Sequence, residues 1–352
     1  MTLNHLRPRK LLPLTFLISL QIFAASPTEE NGHPKHHTNE GFRNYPVIEN
    51  SANFGFNFYW KRFISSLTDP NVPENHFISN DKAVNLYEEL RDANTITWIG
   101  QSTLLIKING VVILTDPFFS RYASPFYVGP GRYVDPGISP ESLPDIDIIL
   151  ISHNHYDHLD ETFVETIPNK TSVHVFAPLK LGDFFLERGY TNVHEMDWYE
   201  SVSIKDLQFT SLPGVHYSRR SMSDKNKTLW CSWAISSPVH QYYFMGDSAY
   251  SATLFKGIGE KFGHFDMAMV GIGTYGNRKY GVDNHTTPEE AVLIGQELNA
   301  STLLGIHWGT IDLSDEDPWE PPKRFQSAAE KAGYSPEATW IMKIGETRRL
   351  PE

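Results

Sequence analysis

Residues 149–161, ILISHNHYDHLDE, place His153, His155, Asp157 and His158 within six positions, with Asp160 two residues further on. Neutral imidazole nitrogens and carboxylates are good ligands for zinc and similar divalent metals. In an extended turn positions 153 and 155 point to one side, while 157 and 158 turn the corner. The cluster can therefore feed two ions, the alternate histidines one and the Asp–His pair the other. Four ligands cannot close two sites, so partners must lie downstream. The candidates are His216 in LPGVHYS, Asp247 in YYFMGDS and His307 in LLGIHWG. Each is a lone polar residue where an apolar run meets a glycine-bearing turn. His76, His174, His194, His240 and His264 lack that context and read as structural. Asp116 in LTDP reads equally as an acid fixing a ligand imidazole in one tautomer and as a turn former before Pro117.

Strands must deliver these residues. DIDIILIS, ahead of the cluster, is a continuous apolar run and predicts a strand buried on both faces. TITWIG, STLLIKING and VVILTDP predict three more, with Asn109-Gly110 as a hairpin turn. SVHVFAP, LQFTSLPG, LWCSWAIS, QYYFMGD, FDMAMVGIG and STLLGIHWG read as strands. DETFVETIP, LKLGDFFLERG (stopped by Gly189), TPEEAVLIGQELN (capped by Thr287) and roughly 321–333 read as helices. Strand runs followed by alternating strand and helix, twice over, predict an α+β fold of two packed sheets with helices outside. No linker interrupts the chain after residue 90.

The 352 residues are 40% hydrophobic and 13% aromatic, enough to bury a large core. The single cysteine, Cys231, excludes an intrachain disulfide and a thiolate-rich zinc site. Residues 1–26 combine a basic head (Arg7, Arg9, Lys10) with the apolar run LLPLTFLISLQIFA and read as a secretory signal. Export to the periplasm or outside follows, or anchoring by an uncleaved segment. Its removal makes the net charge of −12 three units more negative. Such a surface repels phosphate backbones and argues against nucleic acid as a partner. Residues 27–41, which include His33, His36 and His37, read as a disordered linker. Residues 42–352 then form the functional domain with an N-terminal helical extension. In that extension FNFYWKRFISSL (56–67) has helical apolar spacing and suits packing on the core or a membrane surface.

SHNHYDHLD with a later histidine, GDS and IHWG resembles the metallo-β-lactamase fold superfamily of hydrolases. The longer stretches ILTDPFFSRYASPF, PGISPESLPDIDIILISHNHYDHLD, NKTLWCSWAI, FMGDSAYS and IHWGT are similar to the N-acyl-phosphatidylethanolamine-hydrolysing phospholipase D group. The resemblance runs from about residue 93 to 345. It implies a four-layer αββα sandwich with two zinc ions at one edge. It puts His153, His155 and His216 on the first zinc, Asp157, His158 and His307 on the second, and Asp247 between them. His285 in VDNHTTPEEAV matches a family histidine near the substrate phosphate. Gln101 stands where relatives often carry histidine, and Tyr217 where tryptophan is common.

The expected reaction is hydrolysis of N-acyl-phosphatidylethanolamine to an N-acylethanolamine and phosphatidic acid by a hydroxide shared between the zinc ions. Asp157 and Asp247 hold that centre, and His285 assists at the leaving oxygen. A phospholipid at a membrane surface is the expected partner, and the resemblance implies a homodimer. A lactonase, or another small-molecule hydrolase of this fold, is the rival enzyme reading. A zinc- or lipid-binding scaffold is the non-enzymatic one, weakened because all seven ligand positions are filled.

Overall fold

A computed structural model describes residues 34–47, 70–126, 129–281 and 283–351. The leader-like residues 1–26, His33 and the expected helix at 56–67 lie outside the described residues.

The chain builds α1 (Asn80–Glu89) and then the meander β1 (Thr95–Gly100), β2 (Thr103–Ile108) and β3 (Val111–Thr115). There follow β4 (Ile148–Leu150), α2 (Glu161–Thr166), β5 (His174–Pro178), α3 (Gly182–Leu186) and β6 (Asn192–Met196). A second round runs through β7 (Ser201–Ile204), β8 (Leu207–Leu212), β9 (Ser232–Ser236) and β10 (Gln241–Phe244). It continues with α4 (Ala252–Phe262), β11 (Phe265–Gly271), α5 (Pro288–Glu297), β12 (Ala300–Ile306) and α6 (Pro321–Lys331). Two short strands, β13 (Thr339–Trp340) and β14 (Thr347–Arg349), end the chain.

The strands form two seven-stranded sheets, ordered β14-β1-β2-β3-β4-β5-β6 and β13-β12-β11-β10-β9-β8-β7. In each, an antiparallel meander passes into a parallel run: β3 to β6 in the first, β10 to β13 in the second. The period of two sorts every side chain. On β3 and β4, Ile113, Ile148 and Leu150 enter the core between the sheets with Phe209, Trp233 and Met269. Their alternates Leu114, Ile149 and Ile151 pack outward against Ala83 of α1, Phe163 of α2 and Phe185 of α3. Both faces of this sheet are therefore covered, which is why β4 is apolar at every position. The result is the four-layer αββα sandwich.

Helix starts follow from side-chain chemistry. The Asp160 carboxylate caps α2 by accepting from Phe163 N–H. Thr287 and Glu290 form a reciprocal capping box on α5. Residues 34–41 depart from the expected disordered linker: His36 is fully buried, and the His36 and His37 side chains bond to Asp197. Among the described residues no helix is long and apolar enough to cross a membrane.

Candidate metal centre

The parallel strands point their C-terminal ends to one edge, and the chemistry collects there. His153 follows β4, His216 follows β8, Asp247 follows β10 and His307 follows β12. The approach is close enough to demand glycine. A Cβ on Gly246 (φ +59°) would lie 2.4 Å from Ser152 Cβ, and one on Gly273 would lie 2.3 Å from His307 O. Four non-glycine residues here adopt left-handed backbone: Gln101 (φ 54°), Asp116 (33°), Thr274 (67°) and His307 (60°). Such conformations cost about 1–3 kcal/mol each and concentrate at functional sites.

Hydrogen bonds on the outer side of each ring settle what faces inward. Ser152 Oγ donates to Asp116 Oδ2 (2.5 Å), so it can only accept from His153 Nδ1 (2.9 Å). His158 Nδ1 donates to the same carboxylate at 2.7 Å, and His216 Nδ1 to Asn284 O at 2.9 Å. Each of these rings has its proton outside, which leaves Nε2 as an inward lone pair. His155 is turned the other way: its Nδ1 lies 2.8 Å from His153 Nε2 and 3.3 Å from His216 Nε2. Its Nε2 is buried without a partner. His158 Nε2 and His307 Nε2 stand 3.3 Å apart.

Between these nitrogens stands Asp247. Its Oδ2 is 3.1 Å from His158 Nε2, 3.7 Å from His216 Nε2 and 3.9 Å from His153 Nε2. Its Oδ1 is 3.1 Å from His307 Nε2. Asp157 Oδ2 lies 3.4 Å from His158 Nε2 and 3.5 Å from His307 Nε2. The structure thus gathers all seven expected ligands into two adjoining groups, His153–His155–His216–Asp247 and Asp157–His158–His307. The inward nitrogens of His153, His158 and His216 face the Asp247 carboxylate, an arrangement that positive charge between them stabilises.

Charge follows the same logic. Burial pushes His155 down to about 3 and His216 to about 4, and drives His153 well below the usual imidazole range. Burial would also depress His158 and His307, but Asp247 and Asp157 override it. His307 rises to about 9 and His158 well above its ordinary value. Burial would raise Asp157 and Asp247, yet the charge of His158 and His307 holds both well below the carboxylate range. Without a metal, protons on His158 and His307 meet the demand for positive charge. A divalent ion would meet it in their place, so the donor set fits a metal in each group.

His285 stands over the site, its Nδ1 3.7 Å from Asp247 Oδ2 and its ring 5.3 Å from His216 and 5.2 Å from His307. Burial drives it well below the usual range, so it is neutral. Arg278 pairs with Glu290 and donates to His285 O, which fixes the loop that carries it. Asp160 is no ligand; beyond capping α2 it accepts from Phe119 and Ser120 N–H. Asp116 is more than a turn former, since its carboxylate holds His158 and, through Ser152, His153. Cys231 is buried in the sandwich, where burial raises its thiol well above the ordinary value.

Some residues of the site carry no ligand-like signal in the sequence. Gln101 Nε2 donates to Asp157 Oδ2 and reaches His307 Nε2, both at 2.9 Å. Thr274 Oγ1 lies 3.3 Å from His307 Nδ1. Asn44 Oδ1 accepts from His216 N–H at 3.0 Å. Of these only Gln101 stands out in the sequence, at a position where relatives often carry histidine.

A family model for the beta-lactamase superfamily domain matches residues 112–308, and the chain belongs to the metallo-β-lactamase superfamily. It further resembles the N-acyl-phosphatidylethanolamine-hydrolyzing phospholipases D. It is 36% identical over 238 residues to such a protein of Caenorhabditis elegans, covering 64% of this chain and 67% of the relative. It is 34% identical over 257 residues to a mitochondrial one of Saccharomyces cerevisiae, covering 71% and 55%. Among solved structures, the isothiocyanate hydrolase from Delia radicum gut bacteria matches with a TM-score of 0.59 at 18% identity, covering 73% of this chain and all of that one. The diiron β-hydroxylase CmlA from Streptomyces venezuelae matches with a TM-score of 0.56 at 19% identity, covering 73% and 54%. These two structures bear on the fold alone. Superfamily and His/Asp cluster together support a metal-dependent hydrolase.

Proposed function

We propose that the protein is a dinuclear zinc phosphodiesterase of phospholipase D type, which cleaves N-acyl-phosphatidylethanolamine into an N-acylethanolamine and phosphatidic acid. The observation that carries this reading is the charge of the cavity over the centre. Its volume is about 500 Å³, and Arg219 and Lys225 line its wall in a chain of net charge −12. Its only lining carboxylates, among the described residues, are the ligands Asp157 and Asp247. A basic wall beside two cation sites selects an anion such as a phosphodiester. The two phospholipase relatives support the lipid.

His153, His155, His216 and Asp247 would hold one ion, and Asp157, His158, His307 and Asp247 the other. Two such ions supply Lewis acidity toward phosphoryl oxygens and make water acidic enough to ionise near neutral pH. Asp116 and Ser152 keep the ligand imidazoles in the required tautomer. Neutral His285 donates its ring N–H to a phosphoryl oxygen or accepts a proton at its other nitrogen. Tyr156 and Tyr217 line the cavity and give it an aromatic face. The lipid is met at a membrane surface by an exported homodimer, with nucleic acid excluded by charge.

Zinc-loaded protein should be offered N-acyl-phosphatidylethanolamine, plain phosphatidylethanolamine and a simple lactone side by side. Release of N-acylethanolamine as the fastest reaction is the expected result. Preference for the lactone overturns the substrate and leaves the metal centre standing.

A further inference from the structure

Residues 34–47 fold across the site edge as a strap. Thr38 N–H donates to Gly41 O and Arg43 N–H to His36 O, which closes a tight turn. The turn lies so near the loop after His216 that a Cβ on Gly41 would sit 2.1 Å from Asn226 O. Phe42 N–H donates to that same carbonyl, and its ring enters the core. The other end is held harder. His36 is fully buried, stacked on Trp198 at 4.1 Å, with Nε2 2.6 Å from Asp197 Oδ1. His37 Nε2 lies 2.7 Å from Asp197 Oδ2. Both Nε2 atoms meet a carboxylate oxygen of Asp197, so one acid ties down the two neighbouring imidazoles. Asp197 sits between β6 and β7, where the chain leaves one sheet for the other. Two residues beyond Phe42, Asn44 Oδ1 accepts from the backbone N–H of His216 and lines the cavity.

We propose that the strap is latched by His36 and His37 on Asp197, and that it makes Asn44 a positioning residue for the His153–His155–His216 half of the metal centre. His216 stands on a loop after β8, and its ring Nδ1 is held from outside by Asn284 O. The Asn44 carboxamide fixes the backbone from which that ring projects. Because Asn44 lies only eight positions from His36 in sequence, with Phe42 between them, opening the latch loosens the segment that holds it at the cavity. This inference rests on the metal-centre reading and is independent of the lipid.

The test compares N44A, N44D, H37A and D197N in the full chain, with wild type as reference. Cobalt(II) is titrated against a competing chelator, and the visible spectrum is followed alongside hydrogen exchange of residues 34–47. N44A should weaken the affected half about tenfold and change its cobalt spectrum while the other half is unchanged. N44D keeps an acceptor for His216 N–H and should restore both. D197N, and more mildly the partly exposed H37A, should raise exchange at Phe42 and Arg43 and reproduce the N44A spectrum. N44A/D197N should be no worse than the stronger single variant. Loss of strap protection with unchanged cobalt binding overturns the proposal, as do additive effects or failure of N44D to rescue. If wild type itself binds no metal, the reading of the centre falls instead.

Discussion

Replacement of Asp116 by asparagine separates the two halves of the centre. The carboxylate receives three donors: Ser152 N–H at 2.6 Å on Oδ1, and Ser152 O–H at 2.5 Å and His158 Nδ1–H at 2.7 Å on Oδ2. An asparagine has one oxygen to offer. If it faces Ser152 N–H, the new NH2 meets His158 Nδ1–H, donor against donor. If it faces His158, the NH2 meets a backbone N–H that cannot turn away. Ser152 Oγ can rotate to accept, but one clash survives in either orientation. The side chain is completely buried, so no water can relieve it. An unsatisfied buried donor costs about 1–3 kcal/mol. His158 can escape only by moving its proton to Nε2, the nitrogen that faces His307 and Asp247. Both routes weaken the Asp157–His158–His307 half, by about ten- to a hundredfold in metal affinity. The His153 half should keep its ion, because Ser152 can still accept from His153 Nδ1. Metal retained after dialysis against graded chelator gives the readout: two equivalents for wild type, one for D116N across a window of chelator concentration. Two equivalents released at the wild-type midpoint would refute the tautomer argument.

Other perturbations test other parts of the same scheme. D247N removes the carboxylate common to both halves; metal content and turnover should fall by more than the roughly hundredfold of an outer-shell change, with the circular dichroism of the fold retained. His36 and His37 override burial to hold Asp197 below the usual carboxylate range. A depressed folded-state value gives stability that is present above the unfolded value of about 3.9 and lost as pH falls through the folded one. Wild type should therefore exceed D197N in urea unfolding at pH 7, and the gap should close below about pH 4. T287A breaks the capping box on α5 and should cost about 1 kcal/mol in the same assay. Since Glu290 also holds Arg278, it should alter turnover through His285 as well.

What could be read from the sequence divides along a physical line. The four candidate ligands after β4 are legible because a strand's period of two and one turn place neighbours by local geometry alone. His216, Asp247 and His307 are legible because an apolar strand ending in a polar residue and glycine is unusual wherever it occurs. Their convergence is not local: it needs β4, β8, β10 and β12 to end at one edge, which only sheet pairing decides. The same holds for β6 and β14, whose sequences NVHEM and TRR lack apolar alternation and become strands because a partner edge is there to bond. α1 and α4 also escape the pattern, the latter because Gly257 and Gly259 interrupt it. The strap is the sharpest case. PKHHTNEGFRN is polar and glycine-bearing, the composition of a disordered tail, and nothing nearby can order it. Order comes from Asp197, 161 residues beyond His36, which binds both exposed-looking imidazoles while His36 stacks on a core tryptophan. A segment whose place in the fold depends on remote contacts can be loosened by breaking one of them, and that separates the strap from the strands of the two sheets.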